Sequence, residues 1–130
     1  MIKLGYTILY VTNVPASIEF YELAFGFQRK FITPENDYAE LITGETTLAF
    51  VSWALANSNL SRGFLASQPT GKPFGMELAL VTDEVQKRMD KAVELGGTLV
   101  EPPKQKPWGQ IVGYVRDRDG FLLEICSPVA

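Results

Sequence analysis

The stretch Gln105–Ser127, QKPWGQIVGYVRDRDGFLLEICS, decides the fold of this chain. Two runs of alternating apolar residues, Gln110–Arg116 and Phe121–Ser127, flank an Asp-Arg-Asp-Gly turn signal, and this pattern is typical of a β-hairpin. The second run carries a carboxylate, Glu124, on an otherwise apolar strand. Because an unpaired carboxylate is costly to bury, the sequence predicts that Glu124 faces either a polar partner or a ligand site.

Length and composition are those of an ordinary globular chain. It has 130 residues, of which 46% are hydrophobic and 21% are charged, and a single cysteine, Cys126. These values predict one folded domain with a substantial core and no disulfide. The net charge of −3 and the lack of a Lys/Arg cluster argue against a nucleic-acid partner. Without a membrane-length apolar run or a signal-peptide pattern, we expect a cytoplasmic protein with no membrane partner.

The order strand, helix and three strands occurs twice along the chain. In the first half, an alternating run at Leu4–Val11 precedes an apolar stripe with helical spacing. In the second half, the run Gly75–Thr82 precedes a similar stripe. A shift of 71 residues superposes the two stripes and places Tyr6 over Glu77. The chain is therefore predicted to contain an internal duplication.

Breaker residues mark the expected limits of the remaining elements. The pair Pro102-Pro103 is expected to end the strand that begins at Thr98. The segment 54–73 is rich in Ser, Asn, Gly and Pro, and we interpret it as a long connection with at most one short helical turn. Connections of this length in compact domains are usually functional lids or linkers.

The duplication predicts an α+β fold of tandem βαβββ modules within a single domain, residues 1–130. We place module one at about 1–53, the connection at 54–73 and module two at about 74–130. Each module alone leaves one sheet face bare. We therefore expect curved mixed sheets around a shared cavity, with the helices on the outside.

The pattern resembles the vicinal oxygen chelate superfamily, which includes lactoylglutathione lyase, extradiol dioxygenases and the bleomycin and fosfomycin resistance proteins. The residues that carry the resemblance are Val11–Asn13, Ser17–Tyr21, Ala24–Phe27, Glu77–Asp83, Gly96-Gly97, Pro107–Gln110, Asp117–Gly120 and Glu124. It covers nearly the whole chain outside 54–73, and it implies the tandem βαβββ fold.

Metal-dependent members of that family place one ligand on the first strand and one on the last strand of each module. The resemblance assigns these four positions to Tyr6, Ala49, Glu77 and Glu124. Only Glu124 is the usual ligand type, and alanine has no donor atom. Because a catalytic metal needs about three protein ligands, we expect no tightly bound metal cofactor. A weakly bound divalent cation such as Mg²⁺ would use Glu77 and Glu124.

The predicted site has an acidic floor and aromatic walls. Glu77 and Glu124 are the polar floor, and they are the catalytic candidates if the protein is an enzyme; the structural alternative for Glu124 is a carboxylate satisfied by a neighbouring Arg or Tyr. Aromatic walls with a few polar groups are typical of small-molecule pockets. The remaining predicted ligand-binding residues are Tyr6, Tyr10, Ala49, Trp108, Gln110 and Tyr114.

Two functional hypotheses follow, and the sequence leaves open whether the protein is an enzyme. The chain has no histidine, which excludes the Ser/His and Cys/His arrangements of nucleophilic catalysis. The favoured hypothesis is a protein similar to the bleomycin-resistance branch, which sequesters an aromatic or cationic organic molecule. The alternative is a metal-dependent lyase or dioxygenase that uses Glu77 and Glu124. The resemblance also implies a homodimer.

Overall fold

The computed structural model describes residues 1–129. They divide into two compact units, of which unit 1 spans Met1–Ala66 and unit 2 begins at Ser67. Each unit has one four-stranded mixed sheet and the element order β, α, β, β, β. The predicted α+β class and the tandem βαβββ order are confirmed. The single-domain organisation, the module limits, the shared cavity and the outer position of the helices stay predictions.

Unit 1 carries one helix within its βαβββ order and a second helix after it. Its elements are β1 (Tyr6–Val11), α1 (Val14–Phe25), β2 (Gln28–Ile32), β3 (Tyr38–Ile42), β4 (Thr47–Ser52) and α2 (Trp53–Asn59). The strand order is β1-β4-β3-β2, with β1 parallel to β4 and the other pairs antiparallel. The segment interpreted as a connection therefore begins inside a seven-residue helix. The Ser52 hydroxyl caps this helix by accepting the Leu55 backbone N–H at 3.1 Å.

Unit 2 repeats this arrangement. Its elements are β5 (Leu78–Val81), α3 (Val85–Glu94), β6 (Thr98–Gln105), β7 (Ile111–Arg116) and β8 (Leu122–Cys126). The strand order is β5-β8-β7-β6, with β5 parallel to β8 and the other pairs antiparallel. Within residues 1–129, no helix has both the length and the apolar composition needed to span a bilayer.

The prediction that Pro102-Pro103 ends its strand is wrong. The strand β6 continues through both prolines to Gln105, and its register with β7 shifts between Glu101 and Lys104. Because β6 is an edge strand, its prolines can lie at this irregularity, where their lack of N–H groups does not interrupt the pairing of β6 with β7.

One face of each sheet is covered by the helix of its own unit. In unit 1 the ring of fully buried Phe50 lies 5.2 Å from that of Tyr21 in α1. In unit 2 Gly113 lies under the Met89 side chain of α3, so that a Cβ atom there would collide with the thioether. Because side chains alternate along a strand, Ala49 and Tyr114 lie on the opposite faces. We call these the open faces because α1 and α3 do not cover them, although Ala49 itself is fully buried.

Candidate functional site

Strand register relates each open-face position of unit 2 to one in unit 1. Glu124 of β8 pairs with Ala79 of the parallel strand β5. Ala49 of β4 pairs with Ile8 of β1 in the same way. Ala49 therefore holds in unit 1 the position that Glu124 holds in unit 2, as the resemblance implied.

The first strands show the same equivalence. Glu77 lies two residues before Ala79, and Tyr6 lies two residues before Ile8. Residues two apart share a strand face, so Glu77 is on the open face with Glu124, while Tyr6 occupies the matching place in unit 1. The first-strand and last-strand positions thus hold two carboxyl groups in unit 2, and a phenol and a methyl group in unit 1.

An acidic cluster of Glu77, Tyr114 and Glu124 forms on the open face of unit 2. Tyr114 lies directly opposite Glu124 across the β7–β8 pair, and its hydroxyl donates a hydrogen bond to Glu124 Oε1 at 3.1 Å. Burial, a hydrogen bond with Glu124 and the negative charge of Glu124 raise the pKa of Glu77. A negative charge beside a carboxyl group favours its protonated form. The structure therefore brings together three of the predicted site residues.

The neighbouring phenol and thiol stay protonated near neutral pH. Burial, followed by the hydrogen bond and charge of Glu124, raises the pKa of Tyr114. The same causes raise the pKa of the Cys126 thiol to about 11. Since the thiolate is the reactive form of cysteine, Cys126 is a poor nucleophile here. The phenol and the thiol therefore add no negative charge to the cluster near neutral pH.

Trp108 and Gln110 lie at the far end of β7 from this cluster. The Trp108 indole N–H donates to Gln110 Oε1 at 2.8 Å, and the Gln110 amide donates to the Ser127 carbonyl at 2.9 Å. Gln110 is four residues from Tyr114, which is roughly 13 Å along a strand. These two residues brace the hairpin end, and their predicted contact with a ligand stays a prediction.

Tyr6, Tyr10 and Ala49 all lie on the open face of unit 1. The Tyr10 ring packs edge to face on Phe64 with their centroids 4.9 Å apart. Tyr6 remains more than half exposed, whereas Ala49 is fully buried. This face therefore offers aromatic surface, and the ligand-binding role predicted for these three residues stays a prediction.

Sequence reasoning missed a buried carboxylate on the same face of unit 1, Glu40. Its Oε2 accepts a hydrogen bond from the Tyr38 hydroxyl at 2.6 Å, and its Oε1 lies 3.6 Å from Lys30 Nζ. Glu40 pairs across the sheet with Ala49, so it holds the register position of Tyr114. Burial and Glu40 raise the pKa of Tyr38. The available signal was local, because Glu40 is flanked by apolar residues just as Glu124 is.

The donor groups do not fit a three-ligand metal centre. Within residues 1–129, no three or more His, Cys, Asp or Glu side chains are grouped closely enough to hold a metal ion. The acidic cluster offers two carboxyl groups and a phenol with a raised pKa, whereas a catalytic metal of this kind needs about three protein ligands. We therefore assign no catalytic step to a metal.

The raised pKa of Glu77 predicts a pH dependence of stability. Because the pKa of Glu77 is higher in the folded protein than in the unfolded chain, the folded state binds more protons between those two pKa values. The contribution of Glu77 to the free energy of unfolding is thus fully present at low pH and is lost as the pH rises through the folded pKa. Urea denaturation across pH 4–8 should show wild-type stability falling relative to Glu77→Gln. A parallel pH dependence in the two proteins would contradict the raised pKa of Glu77, and Glu35→Gln, at an exposed position, serves as control.

The chain is similar in sequence to known proteins of one family. The family model described as Glyoxalase/Bleomycin resistance protein/Dioxygenase superfamily matches residues 3–125. A lactoylglutathione lyase of Arabidopsis thaliana is 31% identical over 120 residues, which are 88% of this chain and 40% of the plant protein. A probable lactoylglutathione lyase of Synechocystis is 28% identical over 126 residues, which are 92% of this chain and 91% of that relative. This chain thus spans less than half the length of the plant relative.

Solved structures show the same fold. The crystal structure of a glyoxalase-related enzyme from Fulvimarina pelagi superposes with a TM-score of 0.82 at 25% sequence identity. The match covers 98% of this chain and 89% of that protein.

Proposed function

The chain belongs to the Glyoxalase/Bleomycin resistance protein/Dioxygenase superfamily, and we propose that it acts there as a small-molecule-binding protein whose ligand is an organic cation. The observation that carries this proposal is the acidic cluster, in which Glu77, Tyr114 and Glu124 come together on the open face of unit 2 and the pKa of Glu77 is raised. A positively charged ligand beside Glu77 favours the ionised form of its carboxyl group. Ligand binding and deprotonation are therefore coupled.

The other features of the cluster suit a flat cation. The Tyr114 hydroxyl holds one oxygen of Glu124, and a ligand N–H group would replace Glu77 as a hydrogen-bond partner of this carboxylate. An aromatic ring beside a carboxylate pair adds a cation–π contribution of about 0.5–2 kcal/mol. A charge-assisted hydrogen bond adds about 1.5–3 kcal/mol. An amidinium or ammonium group attached to an aromatic ring matches both contributions.

Benzamidinium and its neutral analogue benzamide are the probes for this proposal. We expect calorimetry to show that wild-type protein binds benzamidinium more tightly than benzamide. Glu124→Gln should weaken benzamidinium binding by about 10- to 100-fold, because it removes one charged partner. The exposed carboxylate Glu94 of α3 provides a matched control, and Glu94→Gln should change the affinity less than about twofold. Equal affinity for the cation and the neutral analogue would contradict the proposal.

A second candidate function is a divalent-metal-dependent lyase that acts on lactoylglutathione. The names of the curated relatives at 28–31% identity support it, and Glu77 and Glu124 would then be the metal ligands. Elemental analysis and a Mn²⁺ titration separate the two candidates. Stoichiometric metal binding with turnover of lactoylglutathione would favour the lyase over the binding protein.

The remaining predictions belong to the same proposal. We propose that Tyr6, Tyr10, Ala49, Trp108 and Gln110 contribute further ligand contacts, that the protein works without a tightly bound metal in the cytoplasm, and that it forms a homodimer. Light scattering after size exclusion measures the oligomeric state directly.

A further inference from the structure

The buried carboxylate of unit 1, Glu40, holds its two oxygens in different ways. Glu40 is 7% exposed, and its Oε2 accepts a short hydrogen bond from the Tyr38 hydroxyl at 2.6 Å. Its Oε1 lies 3.6 Å from Lys30 Nζ, which is an ion pair but is longer than a hydrogen bond. One oxygen of this carboxylate is therefore fixed, and the other is in loose contact with an ammonium group.

A β-bulge in β2 turns Lys30 toward this carboxylate. Two residues of β2, Arg29 and Phe31, pair with the consecutive residues Leu41 and Glu40 of β3. The strand β2 therefore contains one extra residue at this point, Lys30. Bulges of this kind redirect side chains, and they are frequent at sheet edges and beside functional sites. Because Phe31 lies directly opposite Glu40, two successive residues of β2 reach the same carboxylate.

The surroundings of Glu40 combine aromatic surface with access from solvent. The rings of Phe31 and Tyr38 have their centroids 5.8 Å apart. Phe31 is 40% exposed, and the side chain of Lys30 is 59% exposed. The strand β2 that carries Phe31 and Lys30 is an edge strand of its sheet. A small molecule can therefore approach Glu40 from the sheet edge, along Lys30 and Phe31.

The same pair of groups, a carboxylate and a phenol, occurs in the acidic cluster of unit 2, where Tyr114 donates to Glu124. The two units differ in the third group. Beside Glu124 it is the carboxyl group of Glu77, whereas beside Glu40 it is the ammonium group of Lys30. An ion pair made by a mostly exposed lysine is weak. A second cation can therefore compete with Lys30 for Glu40.

We propose that Glu40 and Tyr38 form a second binding site, specific for an organic ammonium ion, which the Lys30 ammonium occupies in the free protein and which a ligand takes by displacing Lys30. The ligand class is a primary ammonium carried on a small aromatic group. Its ammonium takes the place of Lys30 Nζ beside Oε1 of Glu40, and its ring packs on Phe31. All four residues belong to unit 1, so this site does not depend on the acidic cluster of unit 2.

Benzylammonium and its neutral analogue benzyl alcohol are the probes for this site. The titration uses the full chain with Glu77→Gln and Glu124→Gln, so that the acidic cluster does not contribute to binding. The NMR signals of the Phe31 and Tyr38 rings report on occupancy. We expect benzylammonium to shift both rings saturably, and benzyl alcohol to leave them unchanged at the same concentrations.

Two substitutions in this parent protein, each with a matched control, test the roles of the charged groups. Lys30→Met should tighten benzylammonium binding by about two- to fivefold, because it removes the competing ammonium. Lys104→Met, on the edge strand β6 of unit 2, should change the affinity by less than about 1.5-fold. Glu40→Gln should weaken binding by about tenfold or more, because it removes the charged acceptor. Glu45→Gln, at an exposed position between β3 and β4, should leave the affinity unchanged.

Lys30→Met keeps the test decisive if Glu40→Gln does not fold, because the Lys30 side chain is mostly exposed. Equal affinity for benzylammonium in the parent protein and in Lys30→Met would overturn the proposal. Equal shifts of the Phe31 ring with benzylammonium and benzyl alcohol would also overturn it. Benzamidinium binding to the protein with intact Glu77 and Glu124 tests the proposed function separately, so that either proposal can fail alone.

Discussion

Gly120→Ala is expected to lower the free energy of unfolding by about 4 kcal/mol, a large effect for a single methyl group. The new Cβ would meet the Gln68 carbonyl carbon and oxygen and the Pro69 nitrogen, which are backbone atoms that no rotamer change can move. The backbone at Gln68 and Pro69 must therefore move away from the turn. The hydrogen bond that Arg116 donates to the Gln68 carbonyl is lost with this movement. A left-handed φ adds about 1–2 kcal/mol for any residue with a Cβ.

Gly109→Ala is the matched control for this prediction. Gly109 has a φ of 94°, nearly that of Gly120, but a Cβ atom added there would meet nothing within 4 Å in the described part of the chain. It carries the backbone strain without the collision, so we expect a loss of only about 1–2 kcal/mol. Urea denaturation followed by circular dichroism measures both variants. Equal losses of unfolding free energy in the two variants would show that the close contact of Gly120 with the Gln68 backbone contributes nothing to stability.

Phe50→Ala is expected to destabilise unit 1 by about 3–5 kcal/mol. Phe50 is fully buried at the centre of β4 and packs on Tyr21 of α1. Its removal leaves a cavity between the sheet and the helix that covers it. Fluorescence of Trp53, measured in a Trp108→Phe background, reports on this unit because Trp53 is then the only tryptophan of the chain.

The control for the core substitution is Phe31→Ala. Phe31 is on the same sheet and also contacts an aromatic ring, that of Tyr38 at 5.8 Å, but it is 40% exposed. We expect a loss of about 1 kcal/mol or less, since little apolar surface leaves the interior. A loss at Phe31 as large as that at Phe50 would contradict the assignment of the core to the helix-covered face.

The hairpin and the duplication could be predicted because their signals are local. Alternation and turn chemistry at 110–127 predict β7 and β8 to within about one residue at each end. The shift that relates Tyr6 to Glu77 also holds in the strand register, where Ile8 and Ala79 occupy equivalent pairs. Patterns of this kind depend on residues close in sequence.

Contacts between distant residues could not be predicted in this way. Arg116 reaches carbonyl groups 45 and 48 residues earlier in the chain, and no local sequence pattern indicates that pairing. Glu40 was missed because the ligand position that the family resemblance assigns to the last strand of unit 1 is Ala49. The structure shows that the buried carboxylate of unit 1 lies one strand away from that position.

The central claim is that a cation binds at Glu77 and Glu124. The number of protons released on binding tests this claim most directly. Calorimetry of benzamidinium binding is carried out in buffers with different ionisation enthalpies, at a pH where Glu77 still holds its proton in the free protein. We expect wild-type protein to release up to one proton on binding, and Glu77→Gln to release none. A binding enthalpy that is independent of the buffer in wild-type protein would contradict the claim.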